Sequence, residues 1–224
     1  MDNVENSNAV MSASVFGGML RPAAVSAVFF MVVTGIAYPL VTTIVAQALF
    51  PDQARGTLIE HNHHLVGSRL IGQYFTQPQY FHGRPSATTG TDPRDPAKTI
   101  DQPYNAASSG ASNQGALSQA LLDAVEARAK AYREENGLAL DAKVPIDAVT
   151  ASASGLDPDI SLENARLQAP RVAKARGLPL PMVLSRVELH TAGRQLGVLG
   201  DPRVNVLELN LALDEAAPAK SPMQ

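Results

Sequence analysis

The sequence predicts a mixed α/β (α+β) soluble domain tethered by a single N-terminal transmembrane helix. Three observations lead there: an uncharged apolar run from Pro22 to Pro51, apolar residues at helical spacing around 117–129 and 161–177, and short alternating stretches at 57–72 and 204–213. The implied organisation is a short N-terminal segment (1–21), the spanning helix (22–50), the soluble domain (51–216) and a flexible tail (217–224).

Composition narrows the class. A chain of 224 residues with net charge −3 holds one main core, and its Lys and Arg are scattered, so no nucleic-acid partner is expected. Cysteine is absent, which removes disulfides, thiolate zinc sites and thiol catalysis.

Thirty residues of helix rise roughly 45 Å, more than the bilayer core of about 30 Å requires. A signal-peptide apolar region is only about 7–15 residues, so this run reads as a retained anchor. Pro39 lacks an amide hydrogen and pushes against the carbonyl four residues back, on Gly35, which predicts a local kink. Thr34, Gly35, Tyr38, Pro39 and Thr42 together form a small, hydroxylated stripe that suits close approach of another membrane helix, making them candidate subunit-interface residues. The flanking charges, Arg21 and Arg55 against Asp2, Glu5 and Asp52, do not fix an orientation.

After the anchor, Thr57–Glu60 and Leu65–Gly72 read as a hairpin about a polar turn at His61–His64. Its histidines do not make a metal site, since adjacent rings on a tight turn rarely converge. Residues 77–115, rich in Pro, Gly, Ser, Asn and Thr, read as irregular structure anchored by Tyr80, Phe81 and Tyr104. A helix follows, with Leu117, Leu121, Leu122, Val125 and Ala129 on one face, Ser112 or Asn113 at its start and Gly137 at its end.

The stretch TASASGLDPDIS (150–161) leads to a second helix capped by Ser161, with Glu163 in its first turn, Arg171, Lys174 and Arg176 toward its end and Gly177 as its stop. Pro170 should bend or divide it. A further helix spans about Pro181 to His190. Val204, Val206, Leu209, Leu211 and Leu213 then alternate like a strand, with helix the open alternative.

Catalytic motifs are missing. Ser152 and Ser154 lie outside a GxSxG turn, no serine precedes a lysine by three, and a triad using His82 or His190 with Asp157 or Asp159 would have to be assembled in space. There is no phosphate-binding loop and no kinase signature. Composition and motifs therefore describe an anchored binding or assembly subunit.

Seven blocks, in order, resemble one family: TGIAYPLVTTIVAQALFPDQARGTLI, GSRLIGQYF, YFHGRPSA, YNAASSGASN, VPIDAVTASASGLDPDIS, the pattern from Ala165 to Gly177, and PRVNVLELNLALD. The family is that of the C subunits of Kdp potassium-transporting P-type ATPases. Thr57, where the family usually has serine, and the HNHH turn are mild departures. The resemblance implies a bacterial inner-membrane complex whose partners are a channel-like potassium-selecting subunit, an ATP-hydrolysing subunit and a small single-helix subunit. It implies a cytoplasmic N-terminus and a periplasmic domain.

Two roles are implied. One is a non-catalytic chaperone that stabilises the assembly and raises the ATP affinity of the hydrolysing subunit, with Asn105, Ser109, Gly110, Ser112 and Asn113 as a nucleotide-binding loop. The other is a periplasmic module over the potassium entrance with no nucleotide role. No cofactor of its own follows from either: ATP acts through the catalytic subunit and K+ is carried by the channel-like one.

Overall fold

The computed structural model describes residues 18–61 and 63–216, so the 217–224 tail and most of the 1–21 segment lie outside the described residues. The chain forms two compact units, divided between Thr57 and Leu58.

The first unit is built on α1, Gly18–Leu49, 32 residues long and apolar enough to cross a membrane, with none of that apolar surface buried inside the chain. The disturbance expected at Gly35 and Pro39 takes the form of a π turn, Val33–Ala37, in which the Tyr38 amide bonds the Val33 carbonyl five residues back. The wider turn lies just ahead of the residue that cannot donate, Pro39. Thr34 donates to the Phe30 carbonyl at 2.6 Å, and Thr42 to the carbonyls of Tyr38 and Pro39 at 2.9 and 3.0 Å, so both hydroxyls are satisfied within the helix. A short helix, α2 (Pro51–Ala54), closes this unit, and Thr57 donates back to the Asp52 carbonyl.

The second unit opens with the expected hairpin, β1 (Leu58–His61) against β2 (His64–Ser68), antiparallel with a bulge at Ile59/Glu60. A second hairpin, β3 (Thr89–Asp92) and β4 (Asp95–Asp101), interrupts the stretch expected to be irregular. Its turn is nucleated locally: the Asp92 carboxylate accepts the Arg94 amide and Asp95 accepts that of Ala97, with Pro93 between.

Helix α3 (Gln119–Asn136) begins after Ser118, not at Ser112 or Asn113. Gly115 intervenes and a turn carries the Ser118 amide to the Gly115 carbonyl, leaving Leu117 in solvent. Gly137 ends the helix in the left-handed region, φ 65°. A short helix, α4 (Ile146–Val149), and strand β5 (Asp159–Ser161) lead into α5 (Leu162–Arg176).

Ser161 caps α5 by accepting the Asn164 amide at 3.1 Å, and Gly177, φ 67°, terminates it. The helix runs through Pro170 undivided; the ring lies on its exposed face. Helix α6 (Leu180–Leu189), β6 (Thr191–Ala192), β7 (Arg203–Asn205) and α7 (Val206–Ala216) complete the unit, the strands ordering β5-β7-β6, all antiparallel.

The C-terminal run is mostly helix and not the strand that its alternation suggests. Only Arg203–Asn205 is strand, and α7 takes over because Asn205 accepts the Glu208 amide at 3.1 Å, an N-cap three residues before an acid. The apolar spacing then places Leu209 and Leu213 on one buried face.

The core sits between α5, α6, α7 and this small sheet. Ala165, Ala169 and Ala173, four apart on α5, keep that face flat enough for Val183 and Val187 of α6 to pack closely, with Ile160, Val204 and Phe81 filling the remainder.

Candidate functional site

Phe81 is the hinge between core and site. Asn210, fully buried on α7, takes the Phe81 amide at 2.8 Å and donates to its carbonyl at 3.0 Å. One residue on, Gln168 of α5 does the same to His82, at 2.8 and 3.1 Å. Two arginines of α5 hold the preceding loop. Arg171 donates to the carbonyls of Pro78 and Tyr80, and Arg176 to that of Gln79 and to Asp214 while lying 5.0 Å over the Tyr80 ring. The irregular segment is thus fastened residue by residue, satisfying backbone groups that no sheet serves.

From Phe81 the fastened segment passes along one side of a cavity of about 480 Å³. Helix α3 supplies the facing wall through Arg128, Ala131, Tyr132 and Glu135, which share a helical face. Asn164 and Gln168 of α5 line it as well, and Tyr74 and Tyr104, whose rings stack 6.3 Å apart, stand on the remaining side.

The polar groups are ordered as a relay. Gln168 links Arg171 to Asn164; Asn164 accepts from the Tyr132 hydroxyl at 2.8 Å and donates to Asp147; Asp147 accepts from the Ser161 amide and hydroxyl. Burial, then the nearby Asp147 carboxylate, pushes the Tyr132 hydroxyl up, so it serves as a donor throughout the ordinary pH range. The His82 ring lies 2.9 Å from Glu135 and its other nitrogen 3.0 Å from the Gln77 carbonyl. Hydrogen bonding from His82, reinforced by the charges of His82 and Arg171, holds the Glu135 carboxyl below its ordinary value. Arg84 pairs with Asp157 at 2.9 Å, and Tyr104 donates to the Arg84 carbonyl at 2.8 Å.

The residues expected in a nucleotide loop sit beside this cavity in a different setting. Asn105 bridges to β3 and the β4 end, donating to the Thr89 carbonyl and the Gln102 side chain and accepting the Ala107 amide. The Ser109 hydroxyl and Gly110 amide both bond the Ser154 carbonyl, at 3.0 and 2.9 Å. Ser112 and Asn113 are exposed, the latter with φ 51°. Neither they nor Asn105, Ser109 or Gly110 lines the cavity, to which this loop contributes Pro103 and Tyr104.

The stretch 150–161 is the seat for these loops. Gly155, φ 67°, has Thr88 and the Gly110 carbonyl so close that a methyl group there would lie 2.5 and 2.7 Å from them. The Ser86 hydroxyl donates to the Gly155 carbonyl, and the Gly72 amide to that of Leu156.

Among the described residues no serine triad is assembled. His82 faces Glu135, His190 bonds the Arg186 carbonyl, Asp157 is engaged by Arg84 and Asp159 by Arg203, and Ser154 accepts the Leu156 amide. His61 lies 3.6 Å from Glu215, and among the described residues no three metal-ligating side chains converge. Of α1, Thr34, Gly35, Tyr38, Pro39 and Thr42 all fall within or beside the π turn, exposed on the isolated helix.

Sequence reasoning missed Gln168, Asn210 and Arg128. Only the burial of two amides on apolar helix faces could have betrayed the first two.

Residues 20–215 match the family described as K+-transporting ATPase, c chain (KdpC). The potassium-transporting ATPase KdpC subunit of Bradyrhizobium diazoefficiens is 54% identical over 198 residues, covering 88% of this chain and 97% of the relative. That of Methylobacterium nodulans is 55% identical with the same coverage, and one from Rhodopseudomonas palustris is 53% identical over 88% of this chain and 98% of its own. A match that runs through the apolar helix and the whole fastened cavity unit, with relatives more than half identical along nearly their full length, places this chain in the KdpC family.

Proposed function

We propose that the chain is a non-catalytic accessory subunit of an ATP-driven potassium uptake complex in the bacterial inner membrane. Its helix α1 joins the channel-like, ATP-hydrolysing and small single-helix subunits, while its second unit lies in the periplasm. One observation carries this reading: α1 buries none of its apolar surface inside the chain and presents a π turn that holds Thr34, with Thr42 beyond it, and both hydroxyls are satisfied within the helix. Lipid would accept any apolar helix, whereas small residues and a widened turn favour a neighbouring helix.

The effect on ATP affinity is then indirect. The Asn105, Ser109 and Gly110 polar groups are engaged in bonds within the unit, which supports coupling between conformational states over direct nucleotide contact. The chain would favour the state of the hydrolysing subunit that binds ATP better.

The test is potassium-stimulated ATP hydrolysis by the complex purified with and without this chain. The expected result is a higher KM for ATP without it. In the same preparation, a photoreactive ATP analogue should label the hydrolysing subunit and leave this chain unlabelled. Labelling here that ATP competes away would overturn the indirect reading.

A further inference from the structure

Of the two arginines that line the cavity, Arg128 alone has no acidic partner among the described residues. Arg128 bonds the Val149 carbonyl through Nη1 alone, at 3.0 Å, and its Nε and Nη2 have no protein partner among the described residues. Arg84, on the opposite side, is by contrast paired with Asp157 at 2.9 Å, and its one unbonded nitrogen, Nε, is closed off from solvent. The wall's acid, Glu135, is already met by His82 at 2.9 Å and Arg171 at 3.7 Å. A cavity-lining guanidinium with two nitrogens free of protein acceptors, beside stacked tyrosines in a space within the roughly 300–1,000 Å³ range of ligand pockets, makes a receptor for a planar anion.

We propose that this cavity binds a carboxylate, gripped by the open edge of the Arg128 guanidinium, with Tyr74 and Tyr104 packing on the group that carries it. Arg128 suits this role because its fork matches two carboxylate oxygens, and because its Nη1 is held on the Val149 carbonyl. Tyr104, fixed by its bond to the Arg84 carbonyl, gives the stacked pair a rigid base. The carboxylate can belong to a free small molecule or to an acidic side chain of a partner subunit; the chemistry is the same.

The probe is N-acetyl-glutamic acid α-amide, with the neutral N-acetyl-glutamine α-amide as its isostere, titrated by ligand-observed NMR into the full chain in detergent. The acid should bind saturably and the amide should not. Arg128→Gln should weaken binding about tenfold or more, the loss expected for a charged hydrogen bond, and Arg128→Lys should restore part of it. Should Arg128→Gln fail to fold, Tyr74→Ala at the exposed rim should weaken the same titration. Repeating it on the intact complex separates the sources: exclusion of the probe assigns the site to a partner's acidic side chain, unchanged binding to a free carboxylate. Equal binding of acid and amide, no saturable binding, or indifference to both substitutions overturns the proposal. None of these outcomes depends on how α1 contacts its neighbours.

Discussion

Gln168 spends all four of its hydrogen-bonding positions, and two of them grip His82, 86 residues earlier in the chain. Its carbonyl oxygen accepts from the His82 amide and from Arg171, and its amide nitrogen donates to the His82 carbonyl and to Asn164. The side chain is buried, so each of these bonds lacks a ready substitute in water.

Gln168→Leu keeps the volume and removes every bond. It should lower unfolding stability by on the order of 3 kcal/mol, because buried backbone groups of His82 are left unsatisfied. Urea unfolding of the full chain, followed by far-UV circular dichroism, measures this directly.

Gly155→Ala should be costly for two separate reasons. The positive φ alone costs about 1 kcal/mol for a residue with a Cβ, and the added methyl would press on Thr88 and the Gly110 carbonyl. Gly177, equally left-handed but with nothing near its missing Cβ, should show only the first cost on Gly177→Ala. Comparing the two thermal midpoints isolates the contribution of the loop seat.

Acid should loosen the wall formed by α3. The Glu135 carboxyl is depressed below its ordinary value of 4.5, so its contribution is fully present above that value and is lost as pH falls through the lower, folded-state pKa. The difference in stability between the wild-type chain and Glu135→Gln should therefore be present at neutral pH and vanish once the pH drops well below 4.5. A difference that persists unchanged into strong acid would assign Glu135 no ionic role.

Much of the backbone was legible because its signals are local. Uncharged length gives α1, Ser161 and Gly177 bracket α5, and the polar histidine turn marks the first hairpin. Ser112 and Asn113 misled as caps because they stand beside Gly115, whereas Asn205 and Glu208 did carry a capping signal, hidden inside a run that alternates like a strand. The site was illegible for a different reason. Arg171 and Arg176 read as charges suited to a helix end, yet their side chains are 7% and 1% exposed and turn inward to backbone carbonyls more than 90 residues away in sequence. Amide clamps such as Asn210 on Phe81 leave no periodicity, since a single polar residue on an apolar face looks like an interruption until its partner is known.

In the proposed complex, α1 meets its neighbours through the π turn around Gly35. The most direct measurement is recovery of the potassium-transporting subunits with a tagged chain in mild detergent, comparing the wild type with Gly35→Leu. The substitution adds a bulky side chain where nothing within the chain opposes it, so the helix itself should persist. Co-purifying subunits should be markedly lost, with membrane insertion unchanged. Full recovery of the complex with Leu at position 35 would contradict it.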